Sequence, residues 1–385
     1  MQLSDLSKYL ANKFTLENPC YSLDENTVCY THDFQSDISF HSGNEKINLN
    51  GNHLESGEKE NQKFRFAIFA PVQNIKFSEA IILLHGLNER SWEKYLPWAY
   101  QLVSLTRKPV ILFPIAYHMN RSPLTWKCPR LMYQFFLFRK ESVPSVENSS
   151  FVNVAISLRM DRCPELFSMS GVQSYFDIIK LTSAIKTGQF DIFENDCNID
   201  FFAYSIGALL TETLLISNPL QLFSDSKAFF FCGGATFDKI NGCSRSIMDS
   251  RAFSNLRNHL LNNAIVLEKE IIIPEQQGHL LNNGWKAFLA MSGIRNYINY
   301  REKAFQHLIN RIQAIGLKED YVVPGNSIKD TLGKTGNNNG FDVDIMDFPF
   351  RYSHEVPFPV NNQRINDTVT QSFNSVFDKA SLFLS

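Results

Sequence analysis

The sequence predicts an α/β architecture in which a mostly parallel sheet is covered by helices on both faces, and three observations carry this. Short, continuous apolar runs bounded by Gly, Pro or other small residues recur at 79–86, 109–116, 198–205 and 227–237, as expected for strands buried on both faces. Segments with helical spacing alternate with them, at 92–105, 172–188 and 206–217. The 385 residues are 44% apolar and 20% charged, which excludes collagen-like, coiled-coil and disordered chains and is ample for a buried core. In such a sheet the chemistry belongs at the carboxyl ends of the strands.

Taken in order, residues 1–62 read as an N-terminal extension, in which 41–62, dense in Gly, Asn, Glu and Lys, is a loop. The core spans 63–385 and opens with KFRFAIFAP (63–71), which alternates like a strand. The run 79–84 ends at His85-Gly86 and reads as a fully buried strand; Trp92, Tyr95, Leu96, Ala99, Leu102 and Val103 mark the next helix, and 109–116 the next strand. From 117 to 171 the alternation stops, and an insertion of this length is a cap or lid. Its stripe Leu131, Phe135, Phe136 and Phe138 is either the buried face of a cap helix, the preferred reading, or the roof of an apolar site. Gly171 marks the return to a helix over 172–188. Strand 198–205, helix 206–217 closed by Asn218-Pro219, and strand 227–237 follow. A second insertion, 239–306, is mostly helical in pattern; 307–324 is a helix end or strand running into an acidic turn. A Gly/Asn loop (334–340), a strand (342–348) and an amphipathic C-terminal helix (367–384) complete the chain, with no internal repeat.

The charge balance, 37 Lys and Arg against 39 Asp and Glu, and the lack of a basic stretch interleaved with aromatics argue against a nucleic-acid partner. Seven scattered cysteines show no zinc-site spacing, so reduced thiols, no metal and a cytoplasmic location are expected. No apolar run reaches the ~18–20 residues of a membrane span. The 33 Phe residues point to a Phe-rich core, with an apolar substrate pocket as the sharper alternative.

The chemistry concentrates in FFAYSIGA (201–208), a strand running straight into Ser205 and then a helix of small and apolar residues. This resembles the nucleophile elbow of the α/β-hydrolase superfamily, usually G-x-S-x-G, with Ala203 standing where the first Gly is usual and Gly207 at the second. A serine capping a helix is the structural alternative. His85-Gly86-Leu87 is similar to the superfamily's oxyanion loop, which implies that the amides of Leu87 and Ile206 receive the oxyanion; a strand end with a simple turn is the alternative. Leu317 to Pro324 looks like the acid turn, with Asp320 the implied acid, adjacent Glu319 an open alternative, and Asp238 the rival from an earlier strand. Of nine histidines, His354 lies where the superfamily keeps its base, between the last strand and the C-terminal helix. His279 reads as a loop or surface residue, and His85 as a residue shaping the loop.

The resemblance covers 63–385 apart from the insertions and is to an esterase- and lipase-like, bacterial branch. The 115 residues between Ser205 and Asp320 depart from the usual spacing because of the second insertion. It implies an α/β-hydrolase fold with helical cap insertions and a serine hydrolase acting through Ser205, His354 and Asp320. The substrate is a small acyl compound, an ester by preference, and no cofactor is required. A peptidase, amidase or acyltransferase uses the same triad, and an inactive scaffold acting as a binding module is the alternative from another class, hinted at by Ala203. Arg121, Trp126 and Arg130 either cover apolar surface, the preferred reading, or orient an anionic group.

Overall fold

The computed structural model describes all residues except 40–46, 50–51, 55–56, 74, 263–277 and 334–339. Nine strands form one sheet: β1 (Cys20–Ser22), β2 (Thr27–Gln35), β3 (Lys63–Pro71), β4 (Phe77–Leu84), β5 (Val110–Leu112), β6 (Phe193–Tyr204), β7 (Ala228–Phe231), β8 (Ile312–Leu317) and β9 (Asp342–Met346). Their spatial order is β1-β2-β3-β5-β4-β6-β7-β8-β9; β1, β2, β3 and β5 pair antiparallel, and from β5 to β9 every pairing is parallel. The chain steps one way from β4 to β5 and the other way to β6, so the order reverses at β4/β6, where open α/β sheets place their crevice.

Among the described residues the helices of eight residues or more are α1 (Leu3–Lys13), α2 (Leu96–Thr106), α3 (Pro129–Ser142), α4 (Val154–Arg162), α5 (Glu165–Lys186), α6 (Ile206–Ser217), α7 (Ser250–Asn262), α8 (Gly278–Met291), α9 (Ile298–Gln306), α10 (Gly325–Leu332) and α11 (Asn366–Leu384). Strand alternation sorts the aromatic residues between two cores. Phe202, Tyr204, Phe229 and Phe231 join α1, α2 and α11 on one face, while Phe201, Ala203 and Phe230 join α5, α6 and α8 on the other. The abundance of Phe is thus largely a property of the core.

Several boundaries differ from expectation. Residues 1–62 are not set apart from the core: β1 and β2 extend its sheet and α1 packs between α2 and α11, because the polar run that suggested a boundary interrupts the chain and not the sheet. Much of that run lies outside the described residues, as do 263–277 of the second insertion and most of the Gly/Asn loop at 334–340. Gly171 does not start a helix but lies inside α5, where a Cβ would meet nothing within 4 Å. Met132, Phe135 and Arg139 form the buried side of α3, with Leu131 and Phe136 packed partly against the same cluster; of the predicted stripe only Phe135 is fully buried, and Phe138 is half-buried.

The two insertions are joined to each other by side-chain contacts. Arg139 on α3 makes a two-pronged ion pair with Asp249 (2.9 and 3.0 Å) and a second pair with Asp161 (2.5 Å), and Asn153 donates to the carbonyls of Asn148 and Ser244 (2.8 Å each). Arg121 is fully buried and structural: it donates to the carbonyls of Pro114 and Asn61 and to Asp177 on α5 (2.8 Å), and stacks on Phe64. Removing one partner of such a pair leaves the other charge buried. Arg121→Met should therefore lower unfolding free energy by about 3–5 kcal/mol, and adding Asp177→Leu should recover part of that loss. Urea unfolding midpoints check this; a double variant no more stable than the single one would assign the stability to the carbonyl contacts instead.

Candidate active site

Ser205 sits between the end of β6 and the start of α6 with φ 56° and ψ −120°, a backbone conformation costly for any residue but glycine. The geometry requires close packing. A Cβ on Gly207 would lie 2.7 Å from the Leu84 carbonyl oxygen, and one on Gly233 would lie 2.6 Å from Ala208 Cβ and 3.0 Å from the Ser205 carbonyl oxygen. Ala203, in place of the usual glycine, lies fully buried on the α6 face of the sheet.

Ser205, His354 and Asp320 are joined in a hydrogen-bonded chain. Ser205 Oγ is 2.8 Å from His354 Nε2, and His354 Nδ1 is 2.7 Å from Asp320 Oδ2. The other carboxylate oxygen of Asp320 accepts the amides of Val322 (2.9 Å) and Val323 (2.8 Å), which anchor it in the turn after β8. Asp320 and His354 are buried. A carboxylate on Nδ1 holds that nitrogen protonated and leaves Nε2 facing the serine as an acceptor.

The imidazole is held from behind. Tyr204 stacks on it with ring centroids 5.3 Å apart and donates its hydroxyl to the His354 carbonyl. Lys94 lies over the Tyr204 ring (4.6 Å), pairs with Glu89 and donates to the Glu355 carbonyl at 3.2 Å. Cys232, fully buried, contacts Asp320 as well, and its thiol is pushed well up by burial and by that carboxylate, so it stays protonated. The ligand atoms of Cys232, Asp320 and His354 lie within 4.8 Å of one another. However, the 2.7 Å His354–Asp320 separation is a hydrogen bond, shorter than the ~3.3 Å between two ligands 2.0–2.1 Å from a tetrahedral ion, so this trio is not arranged around a metal.

The loop after β4 is tied down residue by residue. The Gly86 amide donates to Tyr95 Oη (2.9 Å) and the Asn88 amide to His118 Nε2 (2.9 Å), while the Leu87 amide between them, like that of Ile206, has no acceptor among the described residues. Asn88, with φ 61°, also donates its side-chain amide to the carbonyls of Val152 and Ser246, one in each insertion. His85 accepts the Ile115 amide on Nε2 and donates Nδ1–H to Gly86; His118 donates its own Nδ1–H to Ala116. Both rings are neutral: burial pushes His118 down to about 4 and His85 well below its usual value.

The remaining sequence candidates lie elsewhere. Glu319 is exposed, Asp238 sits in the turn Phe237–Lys239, His279 is exposed at the start of α8, and Arg130 is exposed. Sequence reasoning passed over His118, which has no motif around it, and Tyr204, whose buried hydroxyl inside the elbow was the available signal.

Two apolar pockets meet beside Ser205, sharing Leu87, Ile206 and Leu209. The smaller, about 30 Å³, includes Ser205, Gly233 and Val322. The larger, about 110 Å³, runs under the cap between Trp126, Tyr117, Phe167, Tyr175, Trp285 and Phe288. None of 131–140 lines it, so that aromatic stretch is no roof.

A sheet reversing at β4/β6 and a strained serine at the end of β6 define an α/β-hydrolase fold. The chain belongs to the family described as "Family of unknown function (DUF6051)", whose model matches residues 12–385. No curated protein sequence matches it. Similar solved structures include a cold-adapted esterase from an Arctic intertidal metagenomic library (8% identity, TM-score 0.42, covering 97% of this chain and 100% of that one). Others are an esterase from Pyrobaculum calidifontis (10%, 0.45, 98% and 91%) and a peroxisomal α/β-hydrolase from Saccharomyces cerevisiae (11%, 0.40, 92% and 91%). The topology of this chain, rather than likenesses this distant, carries the fold assignment.

The neutral imidazoles have a consequence for stability. Their pKa is depressed on folding, so below the ordinary value of 6.5 the unfolded chain binds more protons and stability falls as pH drops. For His118, held at about 4, the loss reaches about 3 kcal/mol by pH 4. Melting temperature should decline from pH 6.5 towards 4, and less steeply in His118→Gln; equal slopes in the two proteins would place the titration elsewhere.

Proposed function

We propose that this protein is a serine hydrolase that cleaves an acyl bond, a carboxylic ester by preference, with Ser205 as nucleophile, His354 as general base and acid, and Asp320 as the carboxylate that orients the imidazole. The observation that supports this most is the continuous chain from Ser205 Oγ to His354 (2.8 Å) and from His354 to Asp320 (2.7 Å) at a strained strand-to-helix turn. His354 takes the serine proton at Nε2 as Oγ attacks the carbonyl carbon. The tetrahedral oxygen is received by the amides of Leu87 and Ile206, each such donor being worth roughly 3–4 kcal/mol in the transition state. The protonated imidazole then gives its proton to the leaving group, and water, deprotonated by the same nitrogen, releases the acid from the acyl-enzyme.

The two apolar pockets, one lined in part by Ser205 and joined to the other at Leu87, Ile206 and Leu209, favour a small ester over a peptide, whose backbone groups need polar partners. A cytoplasmic setting agrees with seven free cysteines; among the described residues no helix is long and apolar enough to cross a membrane.

A fluorophosphonate probe should label the wild-type protein, and labelling should vanish in Ser205→Ala and His354→Ala; a folded wild-type protein that is not labelled would favour a binding scaffold. On an activated ester, Asp320→Asn should lower kcat by about 10⁴-fold, because the amide stabilises the wrong imidazole tautomer. A loss below about tenfold would remove Asp320 from the proposed role.

A further inference from the structure

Among the described residues, the polar side chains in the mostly apolar wall of the larger pocket are paired inside the protein, with two exceptions. Ser170 donates to the Leu166 carbonyl, Ser174 to that of Ser170 (2.8 Å) and Thr213 to that of Leu209 (2.8 Å), while Tyr175 shares a hydrogen bond with Ser217 (3.0 Å). Arg90 donates to the Trp126 carbonyl and to Asn88 Oδ1 (3.1 Å), Glu89 is paired with Lys94, and Arg159 is hydrogen-bonded to Tyr117. The exceptions are the indole N–H of Trp126 and the hydroxyl of Ser168 on α5. Both residues are buried, at 6% and 1% exposure, and neither polar atom has a hydrogen-bond partner among the described residues.

Buried polar groups are rarely left so, because each forfeits the hydrogen bonds it made with water. The neighbours of Trp126 do not supply the missing acceptor: Arg90 and Arg159 lie over its ring, 5.5 and 5.0 Å from the centroid, and are themselves donors. Within α5, Ser170 and Ser174 turn their hydroxyls back to carbonyls four residues earlier, whereas Ser168 does not. An indole N–H can only donate, and a hydroxyl can donate or accept, so a ligand that completes this wall brings an acceptor. No charge is called for. The carboxylate and the arginines of the wall already have partners, and burying an ionised oxygen costs far more than burying a neutral one.

We infer that the larger pocket binds an apolar body carrying an uncharged acceptor oxygen, of ketone, ether or ester type, which the Trp126 N–H and the Ser168 hydroxyl receive, so that the substrate is an oxygenated apolar ester with an acceptor besides the scissile group. The statement about substrate rests on the reading of Ser205 as the reacting centre, since this pocket meets the one containing Ser205 at Leu87, Ile206 and Leu209. The apolar walls supply burial, and the two polar groups select: a hydrocarbon body leaves both of them unpaired, a penalty that shape alone does not impose.

The test separates binding from turnover. In Ser205→Ala protein, titration with acetophenone, α-methylstyrene and benzoate compares three planar molecules of one shape that carry a neutral oxygen, no oxygen or a charge. Acetophenone should move the Trp126 indole N–H resonance downfield, the signal being identified by its absence from Trp126→Phe, and α-methylstyrene should not. The ratio of acetophenone to α-methylstyrene affinity should fall at least fivefold in Trp126→Phe and in Ser168→Ala, with melting curves confirming that both variants fold. An indole signal that acetophenone leaves in place, a ratio unchanged in both variants, no acetophenone binding below about 10 mM, or tighter binding of benzoate would overturn the inference. Turnover then tests the substrate class. Among octanoate esters and octyl acetates in which a carbonyl replaces each methylene in turn, at least one should exceed its hydrocarbon parent in kcat/KM by fivefold or more, and lose that preference in Trp126→Phe; a series with no such member overturns it. Failure of the serine reading shows separately, as unlabelled Ser205 in a protein whose indole signal still answers acetophenone.

Discussion

How closely α6 approaches the ends of β4 and β7 is the constraint on which the site depends. Ser205 stands in a backbone conformation that costs on the order of 1–3 kcal/mol, and it persists because the surroundings leave no alternative. Gly207 lets the helix touch the Leu84 carbonyl, and Gly233 lets β7 pass beneath Ser205 with no side chain between them. Ala203 packs from the strand side: it lies fully buried in the same core as Ala208, on the helix-layer face. The departure from the usual glycine is therefore compatible with the turn. What matters here is smallness, and only Ser205 itself takes a positive φ in this stretch.

From that fixed point the surrounding polar groups are arranged by exclusion. Backbone amides buried at the ends of strands need acceptors. The site satisfies those of Gly86 and Asn88 with Tyr95 and His118, while the Leu87 amide between them has no acceptor among the described residues. Two imidazoles do this work of holding backbone because a neutral ring offers one donor and one acceptor at a fixed separation. Burial keeps them neutral, and the Asn88 side chain then links the loop to both insertions, so the cap and the loop form one hydrogen-bonded unit.

This arrangement explains which parts of the fold and site were legible in the sequence. Strand ends carry a strong local signature, an apolar run stopping at small residues, and Ser205 and Asp320 each sit just past one, while His354 lies between the last strand and the C-terminal helix, so the residues singled out there do meet in space. The strand at 63–71 and the helix at 206–217 have the bounds their patterns indicated. Long-range pairing has no such signature. Nothing local in Cys20–Ser22 or Thr27–Gln35 says that they extend a sheet begun forty residues later, and Gly171 reads as the boundary before a helix that in fact runs through it. Arg121 shows the limit most plainly: it reads as a residue covering apolar surface, with an anionic ligand as the alternative, and neither reading finds its partner Asp177, on a helix that the pattern started at 172 but gave no reason to pair with it. Arg90 and Arg159, which do line the pocket, are ordinary residues in sequence.

The sheet divides the labour between its faces. On the α1/α2/α11 face, Tyr204 and Lys94 brace the loop that carries His354 through its carbonyl groups and the imidazole ring, and Tyr95 holds the Gly86 amide. On the α5/α6/α8 face, the cap and helices enclose the pockets, and the charged and aromatic groups there face whatever enters. Ser205, at the edge between the two, belongs to both. Changes in the insertions can thus alter pocket shape and charge while leaving the bracing of the imidazole intact, since the groups that hold His354 come from β6, α2 and the loops around them. The insertions are thus free to vary in what they enclose, while Tyr204 and Lys94 keep the imidazole and its loop in place.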